Sequence, residues 1–280
     1  MARARVIAAA QTVPVRDDVD ANLAQHVRLA RIAAEEEAQV LVFPELSLTG
    51  YELDLAAGLA FSPSDPRLGP LVEAASADAM TLIVGAPVRI GGRLHIGAFV
   101  LAPDGRIEIY TKRHLGAFPA SASCDGVVPA AEATVFQPGD LDPLVRIGEG
   151  SAAVAVCADA LRPSHPRQAA MRGATIYLAS MFVIRSSLES ETETVRANAA
   201  AHSLAVALAN YGGPSGGLAA GGRSAIWSEH GERLVQLDAA GAGVAVALET
   251  AAGWRARATM LGEPPAGIAS NHGSRAKGCD

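Results

Sequence analysis

Apolar and polar residues follow one another along the chain in two periods, one typical of buried strands and the other of helices. Residues 6–10 form a short apolar run, and apolar residues between 19 and 34 then recur at spacings of four, four, three and four positions. This second spacing places them on one face of a helix. Residues 40–43 form another apolar run that ends at Pro44, whose ring fixes φ and removes a backbone donor. The pattern therefore predicts a strand, a helix and a strand in that order.

The same two patterns continue along the chain. A β-hairpin is predicted at residues 95–101 and 106–110, because a Pro-Asp-Gly turn lies between these two apolar runs. Residues 116–142 contain three prolines and few apolar runs, which indicates a long loop of the kind that is often functional. Further strands are predicted at 81–85, 144–147, 152–156, 174–179, 204–209, 224–227, 234–237 and 243–248, and further helices at 71–79, 166–172 and 189–202.

Strands and helices alternate in both halves of the chain, and this order favours an α/β fold of packed layers. The strands are apolar along nearly their whole length, which is typical of strands buried on both faces. Since no Gly/Ser-rich or Pro-rich linker separates the halves, we expect one domain with internal pseudo-symmetry over residues 1–265. Residues 266–280 are rich in Gly, Ser, Ala and charged residues, and we interpret them as a polar C-terminal tail.

Composition and charge argue against several classes of function. The 280 residues carry 23 Lys and Arg against 29 Asp and Glu, a formal net charge of −6, and only 4% of them are aromatic. Neither a basic patch nor a stacking platform is expected, which argues against nucleic acid as a partner. No apolar stretch reaches the roughly 18 residues that a membrane span needs. The three cysteines are an odd number in a long chain, which favours a reducing, cytoplasmic location.

Three polar residues stand where predicted strands end, namely Glu45, Lys112 and Cys157. Taken one at a time, Glu45 suits a helix cap, Lys112 a solvated surface and Cys157 a small core residue. Ligands in α/β proteins gather outside the carboxyl ends of strands, where three such side chains can meet in one crevice. A nucleophilic thiol needs a base or a nearby cation, and a carboxylate and an ammonium supply both. Together, the three residues are consistent with catalysis by a thiol.

Three segments around these residues resemble the signature motifs of the nitrilase superfamily of carbon-nitrogen hydrolases. They are Phe-Pro-Glu-Leu-Ser-Leu-Thr-Gly-Tyr at 43–51, Tyr-Thr-Lys-Arg-His-Leu at 110–115 and Val-Ala-Val-Cys-Ala-Asp at 154–159. Each motif alone is modest, but the three in this order are specific. The resemblance extends over residues 4–248.

The resemblance implies a four-layer αββα sandwich with a Glu-Lys-Cys triad. Glu45 would act as general base and Cys157 as nucleophile. Lys112 and the backbone N–H of Ala158 would stabilise the oxyanion. Superfamily members often carry a second glutamate shortly before a Pro-Gly turn, and Glu132 occupies that position, although an exposed loop carboxylate is the competing interpretation. The implied chemistry requires neither a metal nor an organic cofactor.

The resemblance also indicates a substrate class. Nitrilases proper more often continue from the cysteine with Trp-Glu, so the Ala-Asp pair after Cys157 favours amides over nitriles. We therefore expect an amidohydrolase that cleaves the C–N bond of a small linear amide or carbamoyl compound through a thioester on Cys157, releasing ammonia or an amine. Tyr51, Met181 and Phe182 each follow a strand end and are candidate substrate-binding residues, and core positions suit them equally well.

Two other functions stay open at this point. One is acyl transfer, in which a nucleophile other than water attacks the thioester, and the other is a catalytically silent binding protein of the same fold. The intact triad weighs against the silent protein, because a chain without catalysis has no chemical need for all three residues. Superfamily members commonly pair through one face of the sandwich. A homodimer or larger homo-oligomer is therefore expected, with the helix that ends at His202 as a candidate surface.

Overall fold

The computed structural model describes residues 5–123 and 126–262. Within these residues the chain forms thirteen β-strands and five α-helices, and none of these helices combines the length and the apolar character needed to cross a bilayer. The strands are β1 (Val6–Thr12), β2 (Val40–Val42), β3 (Thr81–Ile90), β4 (Arg93–Leu101), β5 (Ile107–Thr111), β6 (Leu144–Ile147), β7 (Gly150–Val156), β8 (Ile176–Ser180), β9 (Ala205–Tyr211), β10 (Ala225–Trp227), β11 (Arg233–Gln236), β12 (Gly243–Thr250) and β13 (Gly253–Met260). The helices are α1 (Val19–Glu35), α2 (Ala56–Leu59), α3 (Gly69–Ala77), α4 (Ser164–Met171) and α5 (Leu188–Ala200).

The predicted strands and helices are present, and β3 differs most from its expected length. It continues through residue 90 and forms a hairpin with β4 across Gly91 and Gly92, which both have positive φ. The strand β13 was not predicted, because its residues are mostly exposed and form no apolar run. The short helix α2 was also missed. The domain boundary at residue 265 and the tail at 266–280 lie outside the described residues.

The strands form two sheets that join along β1 and β9. In the first sheet β1, β2 and β3 run parallel, β4 and β5 extend one edge in antiparallel fashion, and β12 pairs with β1 and β13. In the second sheet β7, β8 and β9 run parallel, β6 pairs with β7, and β10 pairs with β9 and β11. Gln11 and Thr12 of β1 pair with Asn210 and Tyr211 of β9. Each half of the chain therefore contributes a sheet with parallel strands at its centre, as the repeated pattern in the sequence predicts.

The side chains of the described residues pack into three hydrophobic cores. The central core contains residues of both sheets, for example Ile7 of β1 and Val154 of β7. A second core packs the other face of the first sheet against α1 and α3, and a third packs the second sheet against α4 and α5. Successive residues of β1 alternate between the central core and the α1 side, as side chains of a strand do. The α/β prediction is confirmed, and the three cores are compatible with the four-layer sandwich that the resemblance implies.

One close backbone approach fixes the segment after β2. Gly85 in β3 lies against this segment, and a Cβ atom at Gly85 would stand 2.4 Å from the Pro44 carbonyl oxygen and 2.5 Å from the Leu46 nitrogen. These separations are far below van der Waals contact, so any other residue would push the segment away from the sheet. Since Glu45 lies within it, glycine at position 85 helps to fix where the Glu45 side chain emerges.

Candidate active site

Glu45, Lys112 and Glu132 form a buried ionic cluster. Lys112 Nζ lies 2.7 Å from Glu45 Oε1 and 2.7 Å from Glu132 Oε1. All three residues are inaccessible to solvent or nearly so. Cys157 lies beside the cluster, where it affects the pKa of both Glu45 and Lys112. The structure thus brings together all four residues, and across its described part no group of three or more His, Cys, Asp or Glu side chains is arranged to hold a metal ion.

The backbone around Glu45 is held by contacts from the second sheet. The Glu45 N–H donates to the Met181 carbonyl oxygen at 3.3 Å, and the Tyr211 hydroxyl donates to the Glu45 carbonyl oxygen. Leu46, the next residue, has φ = +51°, a left-handed conformation that non-glycine residues seldom adopt. Such a conformation persists only where the surroundings enforce it. The turn after β2 is therefore shaped to deliver the Glu45 side chain into the cluster.

The long loop after β5 supplies Glu132 and completes the cluster. Glu132 Oε1 also accepts a hydrogen bond from the Tyr51 hydroxyl at 2.7 Å, and Oε2 accepts one from the Gly116 N–H at 2.7 Å. The Lys112 carbonyl oxygen accepts from the Gly139 N–H at 2.8 Å, which ties the far end of the loop to β5. Glu132 is 1% exposed, so the interpretation as an exposed loop carboxylate is wrong.

Cys157 sits at a sharp turn directly after β7. Its φ is +44°, and it begins the 3-10 turn Cys157–Asp159. A left-handed conformation at a residue with a Cβ costs about 1–3 kcal/mol, and such residues cluster at functional sites. The turn presents the side chain at the end of the strand instead of inside the sheet. Cys157 is half-buried, and its sulfur lies 4.0 Å from the Phe182 carbonyl oxygen.

The Glu45 carboxyl is poised to exchange a proton near neutral pH. Burial raises the pKa of Glu45 to about 7; the Lys112 ammonium opposes this rise and the Glu132 carboxylate adds to it. Glu45 Oε1 is engaged by Lys112, whereas Oε2 is buried and has no hydrogen-bond partner among the described residues. One oxygen is thus held in place and the other is left to accept a proton, which suits a general base.

Cys157 is a protonated thiol in the resting protein. Burial and the negative charge of Glu45 raise the pKa of Cys157 well above its ordinary value, and Lys112 offsets this only in part. Burial alone disfavours a charged Lys112, but the negative charges around it, that of Glu45 foremost, outweigh burial and raise the pKa of Lys112. The lysine therefore stays cationic, and the cysteine needs a base to become a nucleophile.

A cavity of about 260 Å³ opens onto Cys157 and Ala158. Tyr51 and Phe182 line it, with their ring centroids 4.9 Å apart, and Phe118 packs edge-on against both rings. Pockets for drug-sized ligands measure ~300–1,000 Å³, so this cavity fits a smaller molecule. The structure therefore brings Tyr51, Ala158 and Phe182 to the same space as the thiol.

Met181 lies elsewhere. Its side chain packs in the third core, between the second sheet and its helices, whereas Phe182 packs in the central core. Consecutive residues of an extended segment point to opposite faces, so only one of the two can reach the cavity. Of the two, it is Phe182 that lines the cavity, and the contact of Met181 with the site is its backbone hydrogen bond with Glu45.

A buried carboxylate that was not predicted links two segments of the site. Asp159 is inaccessible to solvent and accepts hydrogen bonds from the Tyr110 hydroxyl at 2.7 Å and the His114 N–H at 2.8 Å, while His114 Nδ1 lies 2.7 Å away. Both partners flank Lys112 in sequence. Asp159 therefore ties the Lys112 segment to the turn that carries Cys157. The signal in the sequence was its place two residues after Cys157.

Comparison with known protein families agrees with this geometry. Residues 6–257 match the family described as carbon-nitrogen hydrolase. The chain belongs to this family. It is a carbon-nitrogen hydrolase of the amidase-like kind, and its resemblance to the nitrilase superfamily is confirmed.

Similar proteins include hydrolases of several organisms. This chain is 28% identical over 235 residues to the "Hydrolase in pqqF 5'region" of Pseudomonas protegens. The match covers 81% of this chain and 77% of that protein. It is 27% identical over 175 residues to a nitrilase of Pyrococcus abyssi, across 61% of this chain and 62% of that protein. The solved structure of the NitN amidase from Nesterenkonia sp. AN1 is 26% identical, with a TM-score of 0.74 over 86% of this chain and 91% of that one.

Replacing Asp159 by Asn tests the link between the two segments. One oxygen becomes an NH₂ group that faces N–H or O–H donors, and losing hydrogen bonds to a charged group costs about 1.5–3 kcal/mol. We expect a lower free energy of unfolding in chemical denaturation, together with slower turnover, because the Cys157 turn is no longer fixed. Asp140→Asn, which removes an exposed carboxylate, is the matched control. Equal stability of the two variants would contradict the linking role.

Proposed function

We propose that this protein is a thiol amidohydrolase that cleaves the C–N bond of a small linear amide or carbamoyl compound through a thioester on Cys157. The observation that carries this proposal is the buried Glu45–Lys112–Glu132 cluster beside Cys157, in which one Glu45 oxygen has no hydrogen-bond partner from the described part of the chain. Similar structures support it. Mutants of the Nesterenkonia amidase, 25% identical to this chain, have been solved with butyramide bound and with the acetamide moiety of fluoroacetamide attached to the active-site cysteine.

The first half of the reaction forms the thioester. Glu45 accepts the Cys157 proton, and the sulfur attacks the planar amide carbon. Charge develops on the carbonyl oxygen, which the Lys112 ammonium and the Ala158 N–H are proposed to stabilise. The tetrahedral intermediate then collapses. Glu45 returns its proton to the leaving nitrogen, the C–N bond breaks, and ammonia or an amine departs.

The second half of the reaction releases the acid. Glu45, again deprotonated, removes a proton from water, and the resulting hydroxide attacks the thioester carbon. The C–S bond breaks, the carboxylic acid leaves, and the proton held by Glu45 returns to the Cys157 sulfur. The proposed role of Glu132 is to hold the Lys112 ammonium in position throughout, since it keeps its own hydrogen bonds to Tyr51 and Gly116.

The expected homo-oligomer and the expected cytoplasmic location stay predictions.

The pH dependence of turnover tests the role of Glu45. Its pKa is raised to about 7, so the proton-accepting form is present above that pH and is lost as the pH falls. We expect kcat/KM for butyramide to drop about tenfold per pH unit below neutrality, as for a reaction that needs one deprotonated base. Glu45→Gln should abolish turnover while leaving the fold intact. This role would be contradicted if kcat/KM fell only near the ordinary pKa of a carboxyl group, or if the Glu45→Gln variant were active.

Ammonia release across a substrate panel tests the proposed reaction itself. The panel contains aliphatic amides, carbamoyl amines and nitriles, and Cys157→Ala is the control because it removes only the sulfur. We expect release from amides or carbamoyl compounds, little from nitriles, and none from the variant. Product formation that persists in Cys157→Ala would overturn the thiol mechanism. A hydroxamate formed in the presence of hydroxylamine, without acid release, would instead assign acyl transfer.

A further inference from the structure

The cavity at Cys157 carries a second carboxylate besides Glu132. Glu191 lines the same space, and among the described residues that line it there is no lysine, arginine or histidine. Apart from the two glutamates and the Cys157 thiol, the described lining residues are apolar or hydroxylic, Leu161, Ile184 and Ser187 among them. Such a wall neutralises no negative charge. The cavity is therefore lined both by Cys157 and by a carboxylate that has no cationic neighbour among the described lining residues.

Glu191 is partly withdrawn from water. It belongs to the first turns of α5 and is half-buried, and burial raises its pKa, with Ser187 and the Lys112 charge opposing the rise. Its charge in turn raises the pKa of Cys157, so the two groups are within electrostatic reach of each other. A carboxylate in such a position gains from a cation that enters the cavity.

A helix-terminal role alone does not account for this placement. Acidic residues in a first helical turn are stabilised by the helix dipole, and Glu189 of the same helix has that position while remaining exposed. Glu189 borders a different surface depression and does not line the cavity at Cys157. The helix thus carries three carboxylates, Glu189, Glu191 and Glu193, of which only Glu191 lines the cavity that opens onto the thiol.

The charges of the site do not cancel. Lys112 already pairs with both Glu45 and Glu132, and the described residues that line the cavity include no other cation to pair with Glu191. From this arrangement we propose that Glu191 is a specificity-determining residue that pairs with a cationic nitrogen group, an ammonium or a guanidinium, at the end of the substrate remote from the scissile amide. This inference rests on the proposed amidohydrolase function and narrows its substrate class. Amides with a remote carboxylate are disfavoured, since Glu191 repels them and no basic residue of the described wall receives them.

The test compares amides that differ only in their remote group. For chains of three to six carbons, kcat/KM is measured for the ω-amino amide, for the neutral amide with a methyl in place of the ammonium, and for the ω-carboxy amide. We expect the best ω-amino amide to exceed its neutral counterpart by about tenfold or more, which corresponds to about 1.4 kcal/mol. The ω-carboxy amides should be the poorest substrates.

Two variants assign the preference to Glu191. In Glu191→Gln the ratio of cationic to neutral kcat/KM should fall about tenfold, because the paired charge is gone while the size is kept. In Glu189→Gln, which removes an exposed charge from the same helix, that ratio should stay unchanged. Equal use of cationic and neutral amides by the unaltered protein would overturn the inference. So would an equal loss for both amides in Glu191→Gln, which is what a merely structural role predicts.

The experiments distinguish failure of the specificity inference from failure of the proposed amidohydrolase function. If neutral amides are hydrolysed in a Cys157-dependent way and no cation preference appears, only the specificity inference fails. If no amide is hydrolysed, the proposed function fails, and calorimetry of 5-aminopentanamide with Cys157→Ala decides the inference separately. Binding that disappears when Glu191→Gln is added supports it, and absent or unaltered binding overturns it.

Discussion

The ammonium of Lys112 is enclosed together with the carboxylates of Glu45 and Glu132, out of contact with water. Removing each of these ions from water costs several kcal/mol, and only close geometry with further hydrogen bonds offsets that cost. Both carboxylate oxygens of Glu132 accept hydrogen bonds. Only one oxygen of Glu45 is paired, and the other is buried without a hydrogen-bond partner among the described residues. The catalytic proposal therefore depends on one carboxylate oxygen of Glu45. It receives no hydrogen bond from the described residues, although the cluster around it is otherwise hydrogen-bonded.

Much of the fold serves to bring this cluster together from distant parts of the sequence. Glu45 comes from the end of β2, Lys112 from the end of β5 and Cys157 from the end of β7, which lies in the other sheet. Local features then set each side chain. Gly85 admits the segment around Glu45, and Asp159 binds the Lys112 segment to the Cys157 turn. The left-handed backbone at Cys157 is held by this framework and turns the sulfur towards the cavity.

The sequence predicted the elements whose residues are buried, because burial leaves an apolar pattern. Strand ends then located Glu45, Lys112 and Cys157, and the resemblance added Glu132. The strand β13 escaped prediction because its exposed residues carry no such pattern. Met181 and Phe182 show a second limit. Both follow a strand, and only the direction of each side chain, fixed by the packing of two sheets, separates a core residue from a cavity residue. Glu191 lies on α5, and only the tertiary structure brings that part of the helix to the cavity at Cys157.

The most direct test of the account is the mass of the protein during turnover. The protein is mixed with butyramide, quenched in acid within the steady state, and analysed by intact and peptide mass spectrometry. One added butyryl group is expected, attached to Cys157 and removed when the thioester is cleaved with hydroxylamine. Steady turnover through a group other than Cys157, revealed by an acyl adduct on a different residue or by continued turnover of Cys157→Ala, would contradict it.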